Sequence, residues 1–247
     1  MVCQQRGLAL IVRFMKLYVG ASGFAYKEWK GTFYPKDLPN AKMLSYYGQH
    51  FNSVEINNTF RRIPEKSVFE GWTGQVPKDF CFAIKAPQRI TNIKRLRECG
   101  DAVSELFQAT RWLKKRAGPV LFQLPPNFKK DLERLDGFLR ILPRKHPVTF
   151  EFRHPSWFDA DVYAWLKRRN AALCVAESED LAVPREATAD WGYLRLRKAE
   201  YTRAELKSWA QWILEQDWRE AFVFFKHEDT GTAPKFGKMF LELAGRL

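Results

Sequence analysis

Hydrophobic positions along the chain alternate between short apolar runs and longer stretches with helical spacing. Short apolar runs bounded by polar turns are typical of buried strands, and apolar residues every three or four positions predict amphipathic helices. Strands are predicted at Leu17–Gly20, Ser53–Asn57, Phe80–Lys85, Val120–Leu124, Val148–Arg153, Ala172–Ala176, Gly192–Arg197 and Phe222–Phe225. Helices are predicted at Ala41–His50, Lys66–Gly74, Asp101–Ala117, Asp131–Leu142, Asp159–Arg169, Arg203–Gln216 and Lys235–Gly245.

The regular alternation of strands and helices is typical of a parallel sheet built from βαβ units. Only the connection between the sixth and seventh strands lacks a clear helical pattern. An open doubly wound sheet usually carries a glycine-rich dinucleotide-binding turn after its first strand, but the segment Gly20–Gly23 has only its two end glycines. We therefore predict an α/β fold, a single (β/α)₈ TIM-type barrel, for which 247 residues are sufficient.

This prediction divides the chain into two parts. Residues 1–15 precede the first strand, have no clear pattern and are expected to form a flexible N-terminal extension. Residues 16–247 are expected to form the barrel domain. Nothing in the sequence predicts an oligomeric state.

Polar side chains occupy alternate positions near the carboxyl ends of several predicted strands. In the second strand, Val54 and Ile56 share one face, whereas Glu55 and Asn57 share the other. Since the apolar face of a barrel strand packs on the outer helices, the polar face points into the barrel, at the end where barrel active sites lie. The same reasoning predicts an inward set of Glu55, Asn57, Lys85, Gln123, Glu151, Arg153, Arg195 and Arg197.

This inward set contains four cations and two carboxylates, so it favours a phosphate, carboxylate or sulfate group as ligand. We predict Glu55 and Glu151 as the acid/base groups. Lys85, Arg153 and Arg195 are predicted to hold the anion and stabilise the transition state. The alternative is that Glu151–Arg153 and Glu55–Lys85 are structural ion pairs that bind no ligand.

Loops after the strands carry further candidates for ligand binding. Four rings are predicted on such loops: Tyr26, Trp29, Phe60 and Trp157. These rings could stack on a base or a sugar, or serve only as loop anchors. After the eighth strand, Gly231 and Thr232 suit a backbone anion site at a helix N-terminus, and His227 in the same loop is predicted to contact the ligand.

Composition adds a formal net charge of +13, which favours anionic partners, including nucleic acid, although a generally basic surface is an alternative. The four cysteines show no pairing or metal-ligand spacing, and Cys81 and Cys174 are predicted to be buried free thiols. No apolar run is long enough for a signal peptide or a membrane span, so we expect a cytoplasmic protein with no membrane partner.

The sequence contains no recognisable motif for binding a metal ion or a cofactor. The four histidines are His50, His146, His154 and His227. Their spacing matches no metal-binding motif, and a two-histidine site would need carboxylates such as Glu151 to complete it. We predict no metal ion and no cofactor.

Five sequence motifs resemble the YecE-like family, a domain of unknown function (DUF72). They lie at Tyr18–Phe24, Phe51–Phe60, Phe122–Pro126, Glu151–Trp157 and Phe225–Asp229, and the resemblance extends over roughly residues 16–245. The resemblance implies a TIM-type barrel and no settled activity. The family motifs fall here on Ser22, Glu55, Asn57, Asn58, Gln123, Glu151, Arg153, His154 and Trp157. His154 is accordingly added to the candidate catalytic residues, and Ser22, Asn58 and Trp157 to the ligand-binding ones.

Two main hypotheses about function follow from the sequence. The first is an enzyme that performs acid/base chemistry, as a hydrolase, lyase or isomerase, on a phosphate-bearing or otherwise anionic ligand, with nucleic acid included among the candidates. The second is a non-catalytic nucleic-acid-binding or DNA-repair accessory protein. A third reading is an enzyme acting on a sugar or a carboxylate, which would bind its ligand in the pocket without affinity for DNA.

Overall fold

Eight parallel strands form the centre of the fold. The computed structural model describes residues 15–177, 181, 183–226 and 231–246. The strands are β1 (Lys16–Ala21), β2 (Ser53–Ile56), β3 (Cys81–Lys85), β4 (Ala117–Gln123), β5 (Val148–Glu151), β6 (Ala172–Glu177), β7 (Trp191–Leu196) and β8 (Glu220–Phe225). Their order in the sheet is β1-β8-β7-β6-β5-β4-β3-β2, which is the order of a barrel.

Helices surround the strands on the outside. The α-helices are α1 (Met43–Tyr47), α2 (Lys66–Thr73), α3 (Gly100–Thr110), α4 (Leu132–Ile141), α5 (Ala160–Arg169), α6 (Arg203–Leu214) and α7 (Thr232–Ala244). Short 3₁₀ helices lie at Lys27–Trp29, Asn40–Lys42, Asn58–Phe60, Arg111–Arg116 and Pro155–Trp157, and a π-helix lies at Arg89–Ile93.

The seam between β1 and β2 closes the barrel with few backbone hydrogen bonds. A single bridge joins Ser22 to Glu55. Side chains supply further links: Asn52 accepts from the Val19 amide at 2.9 Å and donates to the Leu17 carbonyl at 2.8 Å. The Tyr47 hydroxyl accepts from the Ala21 amide at 2.6 Å and donates to the Ser53 carbonyl at 3.0 Å. Most of the seam therefore depends on these two side chains.

Alternate residues of each strand contribute to two separate apolar layers. The outer layer lies between strands and helices and includes Val54, Ile56 and Leu194. The inner layer fills the barrel and includes Tyr18, which stacks on Phe222 with 4.6 Å between ring centroids. The inner face therefore carries rings at the amino end of the barrel, below the charged groups described in the next subsection.

Cys81 and Cys174 lie on the inner face of the barrel as buried free thiols, as the sequence predicts. Burial raises the pKa of Cys81 to about 12 and that of Cys174 well above the ordinary thiol value. A thiol that stays protonated is a poor nucleophile. Neither thiol is therefore a candidate nucleophile at neutral pH.

The predicted barrel is confirmed: all eight strands occur within a few residues of their predicted bounds, each predicted helix has a counterpart, and no helix occurs among the described residues of the β6–β7 connection. The helix predicted at Asp101–Ala117 is shorter than expected. It ends at Thr110 and continues as the 3₁₀ turn Arg111–Arg116, in which Lys114 has a φ of 55°. Because this backbone conformation is not helical, the segment cannot continue as a regular helix to the predicted end at Ala117.

Residues 1–14, most of the predicted N-terminal extension, lie outside the described residues. Within the described part of the chain, no helix has the length and apolar content needed to cross a membrane.

Candidate active site

A buried guanidinium joins two carboxylates across the inside of the barrel. Arg195 of β7 donates from Nη2 to Oε1 of Glu55 on β2 at 2.8 Å, and from Nη1 to Oε2 of Glu151 on β5 at 2.6 Å. The three residues are at most 1% exposed. At this depth the pairing is needed, since an unpaired buried charge costs several kcal/mol (roughly 3–5).

Each carboxylate accepts further hydrogen bonds. Glu55 accepts from the hydroxyls of Tyr193 at 2.7 Å and Ser22 at 2.8 Å, and from the Asn57 amide at 3.2 Å. Glu151 accepts from the side-chain amide of Gln123 at 2.8 Å and from the guanidinium of Arg197 at 3.4 Å. Neither predicted pair forms: Glu55 binds Arg195 instead of Lys85, and Glu151 binds Arg195 and Arg197 instead of Arg153.

These contacts fix the charge of both acids. Burial alone would raise the pKa values of Glu55 and Glu151, but Arg195 and the surrounding hydrogen bonds bring both pKa values below the ordinary range. Both are therefore ionised at neutral pH, and neither can serve as a general acid there. Because every oxygen already accepts a hydrogen bond, neither is well placed as a base. Their geometry fits a positioning role, with Arg195 as the group they hold.

A cavity of about 550 Å³ opens above this network at the carboxyl ends of the strands. Its lining has six cationic side chains and, among the described residues, no carboxylate. The lining residues are Tyr26, Asn57, Asn58, Phe60, Arg61, Lys85, Gln123, Arg153, Arg195, Arg197 and Lys226. The excess of positive charge around a concave site favours an anionic ligand.

Lys85 is the lining residue whose pKa is shifted toward neutral pH. Its Nζ lies 4.2 Å from the centroid of the Phe60 ring and has no hydrogen-bond or ion-pair partner among the described side chains. Burial and the nearby Arg195 charge lower the pKa of this amine to about 8, although Glu55 and Glu151 act in the opposite direction. Lys85 can therefore exchange a proton near neutral pH.

Two polar atoms at the floor of the cavity have no hydrogen-bond partner within the described part of the chain. They are Nε of Arg195 and Oδ1 of Asn57. A buried polar group left without a partner costs about 1–3 kcal/mol.

The structure brings together most of the residues predicted for the site. Asn57, Asn58, Lys85, Gln123, Arg153, Arg195 and Arg197 line the cavity. Glu55, Glu151 and Ser22 lie beneath it, buried. The rings of Tyr26 and Phe60 also line it, whereas Trp29 is buried in the core.

Two predicted contacts do not agree with the structure. Trp157 is fully buried, stacks on Phe152 and donates to the Phe128 carbonyl at 2.6 Å, so it anchors its loop and does not reach a ligand. His154 does not line the cavity, and its Nδ1 contacts Ser156, where it caps the turn Pro155–Trp157. Both residues support the loop after β5.

The ligand contacts predicted in the loop after β8 are not found at the cavity among the described residues. His227 lies outside the described residues. Gly231 and Thr232 begin α7, with Gly231 at a φ of 68°, but neither lines the cavity. Among the described residues, no group of three or more histidine, cysteine, aspartate or glutamate side chains could hold a metal ion.

Three functional side chains were missed by the sequence reasoning. Tyr193 shares the inward face of β7 with Arg195, and Lys226 follows the inward Phe222 and Phe224 at the next alternate position. The alternation along these strands could have found both. Arg61 follows the 3₁₀ turn Asn58–Phe60, and no periodic signal marks it.

Comparisons with known proteins match the chain to one protein family. The family profile described as "Protein of unknown function DUF72" matches residues 18–247. The UPF0759 protein YecE of Escherichia coli (strain K12) is 32% identical over 143 residues, which are 58% of this chain and only 50% of that relative. The UPF0759 protein YunF of Bacillus subtilis (strain 168) is 26% identical over an alignment that covers 92% of this chain and 94% of that relative.

A solved structure extends the agreement to the fold. A DUF72 family protein from Thermotoga maritima MSB8 superimposes with a TM-score of 0.84 and 26% identity, over 93% of this chain and 99% of that one. The expected resemblance to the YecE-like family is confirmed. Since the family profile covers almost the whole barrel, this chain belongs to the DUF72 family.

Proposed function

We propose that this protein is an enzyme acting on a small ligand that carries a phosphate or another compact anionic group. The observation that supports this most directly is the cavity lining, where six cationic side chains occur without a carboxylate among the described residues. A volume of about 550 Å³ suits a ligand of metabolite size. The position at the carboxyl ends of the strands is the one that barrel enzymes use.

Acid/base chemistry in this proposal falls on Lys85 and not on Glu55, Glu151 or His154. A proton-transfer group must reach the ligand and titrate near the working pH. Lys85 lines the cavity and has a pKa of about 8. The two glutamates are sealed beneath Arg195, and His154 does not line the cavity.

The second candidate function is non-catalytic binding of nucleic acid. The net charge of +13 favours it, as do the rings of Tyr26 and Phe60 at the cavity. Two of the four predicted stacking rings, Trp29 and Trp157, are buried and offer no surface to a base. The geometry therefore favours the small-ligand enzyme over this alternative.

Removing one arginine of the lining should weaken anion binding. We expect Arg61→Ala and Arg153→Ala each to raise the Kd for inorganic phosphate roughly tenfold, because a hydrogen bond to a charged group contributes about 1.5 kcal/mol. Isothermal titration calorimetry measures this effect. Arg62→Ala is the matched control, since Arg62 is the next residue, pairs with Glu65 on the surface and does not line the cavity.

The same variants separate the two candidate functions. A small-ligand enzyme should bind phosphate, and the Arg62→Ala variant should bind it with the affinity of the wild type. Such an enzyme should also convert at least one member of a panel of phosphorylated metabolites, as followed by mass spectrometry. A nucleic-acid binder should instead bind a single-stranded oligonucleotide with an affinity that falls steeply with salt. Equal losses in Arg61→Ala and Arg62→Ala would argue against the cavity as the anion site.

A further inference from the structure

The Lys85 amine lies at the cavity and forms no ion pair with a carboxylate of the described residues. It is the last residue of β3, and its side chain extends over the face of Phe60 at 4.2 Å. Glu55, the acid expected to pair with it, is fully engaged by Arg195, Tyr193 and Ser22. A lysine in a tight ion pair stays protonated, whereas a largely buried lysine near other cations can lose its proton.

We infer that the Lys85 amine attacks a carbonyl carbon of the bound ligand and forms an imine with it, so that the ligand is an aldehyde or ketone carrying phosphate or a similar anionic group. This inference rests on the proposed function and specifies its substrate class. The remaining polar lining residues would bind two different parts of this ligand. The cations Arg61, Arg153, Arg197 and Lys226 bind the anionic group, and the amides of Asn57, Asn58 and Gln123 bind hydroxyl or carbonyl oxygens.

The reaction needs the neutral amine, and the surroundings of Lys85 supply it. Burial and the Arg195 charge lower its pKa to about 8 from 10.5. At about pH 7 this change raises the neutral fraction roughly 300-fold over that of an ordinary surface lysine. Arg195 is in turn held in place by Glu55 and Glu151, so the buried network contributes to the reactivity of Lys85.

The bonds of the proposed step balance without any additional reactant. The nitrogen lone pair of Lys85 forms a bond to the carbonyl carbon, and the carbonyl π electrons pass to oxygen, which takes one proton from the nitrogen to give a carbinolamine. The carbinolamine then loses its hydroxyl together with the second nitrogen proton as water. The product is a C=N bond between Nζ and the ligand, with no net oxidation or reduction.

Reductive trapping tests the inference. The intact protein is incubated with glyceraldehyde 3-phosphate and cyanoborohydride, and modified lysines are located by peptide mass spectrometry. We expect Lys85 to be modified at least roughly tenfold faster than the exposed Lys66, which serves as the internal reference. Unphosphorylated glyceraldehyde should lose most of this preference, and inorganic phosphate should protect Lys85.

A pH series and a conservative variant add readouts that a structural role would not change. The modification rate at Lys85 should have its midpoint near pH 8, and inorganic phosphate should move the midpoint upward because a nearby anion favours the ammonium form. Lys85→Arg retains the positive charge, and should bind phosphate but give no adduct at this position. Lys85→Met serves as a second variant if the arginine does not fit.

The possible failures can be distinguished. In one outcome, phosphate binding is intact but Lys85 reacts no faster than Lys66, or the pH midpoint of its modification lies near the ordinary lysine pKa. This outcome would overturn the inference and leave the proposed function standing. Absence of phosphate binding in the calorimetry would overturn the proposed function. If glyceraldehyde alone still modified Lys85 selectively in that case, the amine would be reactive but the ligand would not be anionic, and the stated substrate class would be wrong.

Discussion

Arg195→Met is expected to destabilise the protein by about 3–5 kcal/mol, because it leaves two carboxylates at the centre of the barrel without their shared cation. Methionine keeps a long apolar side chain in the same space, so the loss reports the charge and not a cavity. Glu151 also contacts Arg197, at 3.4 Å, and should keep this cation in the variant. Glu55 keeps only its neutral partners, including Tyr193 and Ser22, and should carry most of the cost. Urea denaturation measures the difference.

The pH dependence of stability should change sign with this substitution. In the wild type, both glutamates have pKa values below the unfolded value of 4.5, so their contribution is present above pH 4.5 and is lost as the pH falls below it. In Arg195→Met, burial without a cation raises the pKa of Glu55 above 4.5. The variant should therefore lose stability as the pH rises from 4.5 toward that raised pKa, and the difference from the wild type should be largest near neutrality.

Two controls separate the charge effect from a general loss of packing. Arg62→Met removes a cation from an exposed ion pair with Glu65 and should leave stability unchanged. The double variant Arg195→Met/Glu55→Gln removes the uncompensated charge and should recover about half of the loss. A loss that is equal at acid and neutral pH, without recovery in the double variant, would contradict an electrostatic role for Arg195.

The fold could be predicted from the sequence because short apolar runs alternate with helical segments, and several of the strands show a two-residue period of polar and apolar positions. Val54 and Ile56 pack outward while Glu55 points inward, and Leu194 and Leu196 do the same around Arg195. This pattern assigns the faces of those strands, and the helical segments between successive strands favour parallel pairing. The helix ends were less accurate, since no local pattern marks the positive φ at Lys114, which keeps the helix from extending to Ala117.

The members of the site could be predicted, but the pairing between them could not. Alternation places Glu55, Lys85 and Arg195 on the inward face, yet it does not say how far each side chain reaches across the barrel. The long Arg195 side chain reaches both acids at the centre, whereas Lys85 remains at the cavity. The proposed roles therefore differ from the predicted ones. Glu55 and Glu151, predicted as acid/base groups, hold Arg195 in place, and Lys85 is the proposed group that titrates within reach of a ligand.

The ring predicted to bind ligand after β5 illustrates a second limit of the sequence. Trp157 follows a strand, where exposed and buried rings look alike in a linear pattern. Its burial results from Phe128 on the preceding loop, which supplies both a carbonyl for the indole N–H and an edge-on ring contact at 5.4 Å. Only the packing of the two loops against each other decides the outcome.

Gly20→Ala is expected to open the seam between β1 and β2 and to destabilise the protein by at least about 3 kcal/mol, since overpacking against a rigid backbone is costly. A Cβ at this position would lie 1.9 Å from the carbonyl oxygen of Ser53 and 2.6 Å from the Tyr47 hydroxyl. The backbone of β2 cannot move away easily, because it pairs with β3 along its whole length. The side-chain links of the seam would be displaced together with it.

Gly71→Ala is the matched control for this substitution. Gly71 lies in α2 with no heavy atom within 4 Å of an added Cβ, so alanine should stabilise the protein by about 0.5–1 kcal/mol through its better helix propensity. Urea denaturation compares the two variants. Hydrogen exchange adds a local readout: the amide of Ala21, which donates to Tyr47, should exchange faster in Gly20→Ala at every denaturant concentration below the transition. A Gly20→Ala protein as stable as the wild type, with Ala21 still protected, would show that the seam accommodates the added methyl group. Ser22 and Glu55 would then be positioned by something other than this close approach.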